Sequence, residues 1–266
     1  MWKLIRLVCL AVATISGTLV FSAGVASAHS GYGPKAYVCT GGDFATGNLT
    51  PIPSGTYSSI RVEGACAVAP GAVIDVKGSV HVGAGAALDA QSAPSTIKVR
   101  GNVTAGRGSI LGLGCQPPAL VGNSGHECII EPEGHSTITV RGSVVAFGAD
   151  TVLLNGITVK GNVVLVEGGG AIPWSVKNNT IGGNLIVGGV TAEWVGVMFN
   201  NIGGNAILIA ITVTAPHEGD AVYVVRNTVG RNLICGGLEP GISGGFVPGS
   251  VNVVGGHTIG QCKSVV

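Results

Sequence analysis

In a chain of 266 residues with only 10% charged side chains and a formal net charge of +1, there is no field to gather nucleic acid, so that class of partner is excluded at the outset. Disorder is excluded as well: 46% of the residues are hydrophobic, and Val, Ile, Leu and Ala are spread evenly along the chain. Few charges, 46 glycines and many β-branched residues point instead to short strands joined by tight turns.

Met1, Trp2 and Lys3 precede an apolar run from Leu7 to Phe21, and Ala26-Ser27-Ala28 follows it. This is the order of a secretory signal peptide spanning 1–28, with cleavage after Ala28. An uncleaved anchor is the alternative, since the run approaches the length of a span; once it is cleaved no stable membrane span remains. Cys9 lacks the small residue before it that a lipidated cysteine wants. Cleavage would remove Lys3 and Arg6 and leave 12 of the 14 Lys and Arg against 13 Asp and Glu.

Six cysteines remain, an even number that reads as a disulfide set in an exported chain. Six allow 15 pairings, and the expected one is sequential: Cys39–Cys66, Cys115–Cys128 and Cys235–Cys262. Zinc is the other reading, but the chain has no Cys-x-x-Cys pair and its histidines are scattered.

Residues 29–59, rich in Gly, Pro, Ser and Thr, show no repeat and read as an N-terminal cap. From Ile60 to Cys262 the chain repeats, most plainly as NTIGGNLIV from Asn179, NIGGNAIL from Asn201 and NTVGRNLIC from Asn227. The copies align on Ser79, Asn102, Ser143, Asn162, Asn184, Asn205 and Asn232, with steps of 23, 41, 19, 22, 21 and 27. A step near 22 fits one turn of a parallel β-helix. The step of 41 holds either two turns or one turn with a loop, and Cys115, Pro117, Pro118, Cys128 and Pro132 favour a loop insertion over 112–134. Further insertions are expected over Pro216–Asp220 and Gly236–Ser250, and 263–266 reads as a tail.

Three columns are apolar in every copy. Val76, Val99, Val140, Val159, Ile181, Ile202 and Val229 stand three places before the aligned residue. Val80, Val103, Val144, Val163, Leu185, Ala206 and Leu233 stand one place after it, and Val82, Ala105, Ala146, Leu165, Val187, Leu208 and Cys235 three places after. These are the inward ladders, and the asparagines are expected to stack at a corner.

Two outward columns are candidates for function. Lys77, Arg100, Arg141 and Lys160 stand just before the glycine of successive copies, followed by Gly182, Gly203 and Gly230. Cations stacked on neighbouring strands repel one another, which stability alone does not call for; they suit an acidic envelope polysaccharide. The other reading is a solvated row helped by Glu63 or Asp75. Two places after the aligned residue, His81 and Thr104 give way to Val145, Val164, Ile186, Ile207 and Ile234. Left uncovered, that stripe is a partner surface, for instance for another envelope protein; the Cys235–Cys262 segment or the loop around Pro216 could instead fold over it.

No catalytic set, metal site or cofactor site emerges. Asp43, Asp75, Asp89, Asp150 and Asp220 form no pair for acid and base work. Glu131 and Glu133 read as loop solubility, and in His126-Glu127-Cys128 the cysteine is committed to a disulfide. Gly168–Gly170 opens no helix that could cradle a phosphate. Trp174 aligns with inward Val195 and Val222, one place out of step with Trp194, so the two do not form one sugar platform.

The signal segment, Cys39-Thr40-Gly41-Gly42, Ile52-Pro53-Ser54-Gly55-Thr56-Tyr57 leading to Cys66, the Asn-Thr-Ile/Val-Gly-x-Asn repeats and the closing Gly-Gln-Cys together resemble a group of uncharacterised secreted actinobacterial proteins with parallel β-helix repeats. The coils are also similar to those of bactofilins, which stack end to end into filaments but lack a cleaved signal and disulfides. Ends stapled by disulfides would block such stacking. Neither resemblance brings catalytic residues. The expectation is a single all-β domain, a right-handed parallel β-helix of eight or nine coils with disulfide-stapled ends, secreted or cell-wall associated, acting as a non-enzymatic structural or interaction protein. The alternative is a polysaccharide-binding or polysaccharide-cleaving protein of the pectin-lyase type.

Overall fold

The computed structural model describes residues 33–214, 221–245 and 249–266. The expected signal peptide and the Pro216–Asp220 insertion lie outside them. The chain winds into a parallel β-solenoid of about ten turns. Among the described residues, three parallel sheets of ten, nine and nine strands form its sides. One turn shows the plan: Leu185–Ala192 in the first sheet, Val195–Met198 in the second, Asn201–Ile202 in the third. Each strand pairs with its counterpart one turn on, as Leu185 does with Ala206 and Ala206 with Leu233.

Two boundaries differ from expectation. The stretch 29–59, expected to be an irregular cap, supplies Tyr37–Cys39, Thr50–Ile52 and Gly55–Tyr57, which pair with Ile60–Val62, Ala65–Val68 and Val73–Val76. The first turn therefore precedes Ile60 and the turns outnumber the expected eight or nine. Three-residue strands carry too few alternations to reveal a period. At the other end, residues 263–266 are not a free tail: the 3-10 turn Gln261–Val265 closes the core with Cys262 and Val265 buried.

The step of 41 is one turn with a loop, because Val99 pairs with Val140 and Val103 with Val144 across it. Strands Ile110–Leu113 and Thr137–Val140 bound the loop, placing it at 114–136 rather than 112–134. All three apolar columns point inward, with no member more than 5% exposed. The interior is close-packed, with a void of only ≈ 20 Å³ among Ile52, Leu88, Val99 and their neighbours.

At the corner between the third and first sheets the aligned residues form the expected ladder. Asn162 Oδ1 accepts from the Asn184 backbone N–H at 2.8 Å and Nδ2 at 3.2 Å, and Asn205 and Asn232 repeat the pattern one turn on each. Glycine precedes this corner for a steric reason. A Cβ on Gly204 would lie 2.8 Å from the Gly183 carbonyl oxygen and 2.5 Å from Asn184 Oδ1.

A second ladder, which the alignment did not single out, occupies the corner between the second and third sheets. Asn179, Asn200, Asn227 and Asn252 are 1–4% exposed. Asn200 Oδ1 accepts from Asn179 N–H and Nδ2, while Asn200 Nδ2 donates to Val176 O and Asn227 Oδ1. The residues before three of these asparagines, Asn178, Phe199 and Arg226, hold φ of 58°, 57° and 49°. The buried amides tie down the backbone on either side of each left-handed residue.

The three disulfides form as expected. Cys39–Cys66 and Cys235–Cys262 lie buried at the two ends of the core, where a solenoid would otherwise open its apolar interior to water. Cys115–Cys128 closes the inserted loop. In the chain-entropy account each ring stabilises the fold by about 3 kcal/mol or somewhat more.

Candidate functional site

The outer face of the third sheet is built from two side-chain columns. Lys77, Arg100, Arg141 and Lys160 fall on successive turns, each backbone N–H donating to the turn before it, and Gly182, Gly203, Gly230 and Gly255 continue the series. Beside it runs a column of Asp75, Lys98, Thr139, Thr158, Thr180, Asn201 and Thr228. The expected basic column is thus a physical stack, but its members are not alike. Asp75 ion-pairs with both Lys77 and Arg100; the hydrogen bond from Lys77 is the main cause holding its carboxyl below the usual range.

The unpaired cations therefore shift toward the next turns. Arg141 and Lys160 are joined by Lys98, which the sequence reading passed over. Period two along Lys98-Val99-Arg100 puts both cations outward around buried Val99, and that was the available signal. Lys98, Arg141 and Lys160 line an open concavity of ≈ 670 Å³ whose remaining lining is Thr96, Ile97, Thr137 and Thr139. Among the described residues none of the three cations is in an ion pair. Fixed positive charge over a floor of hydroxyls can hold a carboxylate, sulfate or phosphate and hydrogen-bond the sugar that bears it.

The apolar column lies on the outer face of the first sheet. Val145, Val164, Ile186, Ile207 and Ile234 pair in series and extend to Ile259. The first five are half-buried by their neighbours, and Ile259 is 47% exposed. Exposed Phe147 and Ile209 widen the stripe. Among the described residues the Cys235–Cys262 segment continues the three sheets and turns its end inward to the core; most of the loop around Pro216, the other expected cover, lies outside the described residues.

The inserted loop packs over the second sheet and buries two titratable groups there. Lys177 Nζ donates to Gly125 O at 3.1 Å, and burial lowers its pKa to about 8. His126 contacts Gln91 through Nε2; burial, with Lys177 adding to it, lowers its pKa to about 4. Cys128, beside it in sequence, is in its disulfide. Trp174 is an inward residue, its Nε1 donating to Asp150 O, whereas Trp194 stacks on Tyr223 at 5.6 Å, so the two tryptophans make no common platform.

Asp75 is the one carboxylate on the third-sheet strands. Among the described residues no group of three His, Cys, Asp or Glu could hold a metal ion, and no helix is long and apolar enough to cross a membrane. No protein-family model matches the chain, and neither a curated protein nor a solved structure matches it.

Proposed function

We propose that the protein is an exported, non-enzymatic solenoid that binds an acidic polysaccharide of the envelope along its third sheet. The observation that carries this reading is the convergence of Lys98, Arg141 and Lys160, free of ion pairs among the described residues, on one threonine-floored concavity of ≈ 670 Å³. Export rests on the N-terminal sequence and agrees with three disulfides, which persist in oxidising compartments. Hydrolysis of the polymer by a carboxylate pair would need a second carboxylate within roughly 10 Å of Asp75, and the strands of this face carry none. The test is retention of the mature protein on acidic wall polymer at about 0.15 M salt. Lys98→Thr, Arg141→Ala and Lys160→Ala together should weaken retention about tenfold or more, three exposed charge contacts each contributing a fraction of a kcal/mol. Unchanged retention overturns the reading.

The apolar stripe of the first sheet favours a second contact, with another envelope protein. Six successive turns present Val or Ile to its outer face, which is the composition of an interface centre rather than of a solvated face.

A further inference from the structure

The cations of the third sheet are grouped, with a neutral interval between the groups. After Lys98, Arg141 and Lys160, two turns present only Thr180, Gly182, Asn201 and Gly203, all exposed. Charge returns on the following turn, where Arg226 and Arg231, both exposed, stand at the two edges of the strand Thr228–Val229. From the turn of Lys160 to this one is three turns, about 14 Å at the usual strand spacing.

Arg231 departs from the repeat, and Arg226 stands in a conformation unfavourable for it. Arg226 has φ 49°, at the corner filled by Asn178 one ladder step before Phe199; asparagine or glycine accepts that conformation more readily than arginine. Arg231 stands where the preceding turns have Gly161, Gly183 and Gly204, and a Cβ at Gly204 would crowd the Gly183 carbonyl at 2.8 Å. Among the described residues neither arginine is in an ion pair. Two cations on one turn, with no ion-pair partner among the described residues, point to something that binds them from outside.

We infer that the ligand is a linear acidic polysaccharide lying along the solenoid axis, in which anionic groups are separated by neutral residues. One anionic group sits among Lys98, Arg141 and Lys160, another between Arg226 and Arg231. The neutral residues between them lie on the Thr180–Asn201 interval, where glycines leave the backbone bare to close approach. A polymer with an acid on every residue would hold carboxylates over that interval, partly dehydrated and facing no cation. The inference rests on the acidic-polysaccharide reading above and adds the spacing of the charges.

Titration calorimetry of the mature protein at about 0.15 M salt, where charges beyond about 8 Å are largely screened, tests it with three probes. The first is a trisaccharide with one uronate. The second is an oligosaccharide long enough to span both groups, with uronates separated by neutral sugars. The third is an oligouronate of that same length. Arg226→Asn with Arg231→Gly places at these positions the residues that earlier turns carry there, Asn178 and Gly204, each suited to its backbone, and so preserves the fold. The spaced oligomer should bind the native protein at least tenfold more tightly than the trisaccharide, and more tightly than the oligouronate. The double variant should abolish that advantage while trisaccharide binding at Lys98, Arg141 and Lys160 persists. Trisaccharide binding with no gain for the spaced oligomer, or with an equal gain for the oligouronate, overturns the charge spacing alone. If no probe binds, the acidic-polysaccharide reading falls, and the spacing with it.

Discussion

The turns before Lys160 and those after it are joined by different means. In the first part the corners between the second and third sheets are loops, one of them carrying the Cys115–Cys128 insertion, and Asp75 draws Lys77 and Arg100 together across two turns of the third sheet. In the second part that corner holds the buried ladder from Asn179 to Asn252, and the same outer column is glycine. The first sheet changes in parallel, from Arg61, His81 and Thr104 on its outer face to Val145 and the isoleucines after it. Where amides hold the turns from inside, the outer column is glycine, because a Cβ on Gly203 would meet the Gly182 carbonyl oxygen at 2.6 Å. Where they do not, charge is exposed and part of it is consumed by the fold.

The most severe way to break this contrast is Asn200→Ala. It takes the side-chain partner from Asn179 N–H and from Val176 O and one bond each from Asn179 Nδ2 and Asn227 Oδ1, all in a buried site, and at about 1–3 kcal/mol for each unsatisfied buried group the loss should reach about 4 kcal/mol in urea unfolding. Asn184→Ala in the half-buried outer ladder removes a similar set of bonds, but water can replace them, so about 1 kcal/mol is expected. Equal losses would mean that the inner ladder is not what distinguishes the second part.

Acid should act on the loop-bearing part. His126 binds its proton near pH 4 when folded and near pH 6.5 when unfolded, so between these values the unfolded chain holds more protons. Its contribution is whole above pH 6.5 and is lost as pH falls toward 4, up to about 3 kcal/mol. Lys177 has the same sign at higher pH: its folded value of about 8 makes stability rise between there and the ordinary lysine value. Urea midpoints of the native protein should fall from pH 7 to pH 4.5, and His126→Gln should flatten that slope.

The smallest expected effect on the fold sharpens the contrast at the surface. Ile186→Lys with Ile207→Lys alters only outward, half-buried positions and should change stability by about 1 kcal/mol or less while releasing any partner bound to the apolar stripe. A complex that survives the double variant in sedimentation would assign that contact to another face.

Most of the architecture was legible because a turn of some 22 residues repeats its inward positions: Val76 to Val229 could be aligned by eye and is buried throughout. The first turn was not legible, since Tyr37–Cys39 and Gly55–Tyr57 are too short to show alternation. The inner asparagines stood in the repeated word itself, and alignment on its second asparagine drew attention from its first. The basic face was readable as a row but not as a site. Which cations Asp75 neutralises depends on pairing across turns, and Lys98 joins the site only because its neighbour one turn on is Thr139. Burial of Lys177 and His126 by the loop was out of reach, for nothing in a loop sequence says which sheet it will lie on.

The amide ladders also make length a variable of whole steps. Asn179 and Asn200 are 21 residues apart and bond to each other as Asn200 bonds to Asn227, so removing Thr180–Asn200 would leave each remaining asparagine facing another. A gene encoding such a chain can gain or lose one such unit, and the protein then grows or shrinks by about 4.8 Å with its core unchanged, carrying the two groups of cations farther apart or closer together in fixed increments.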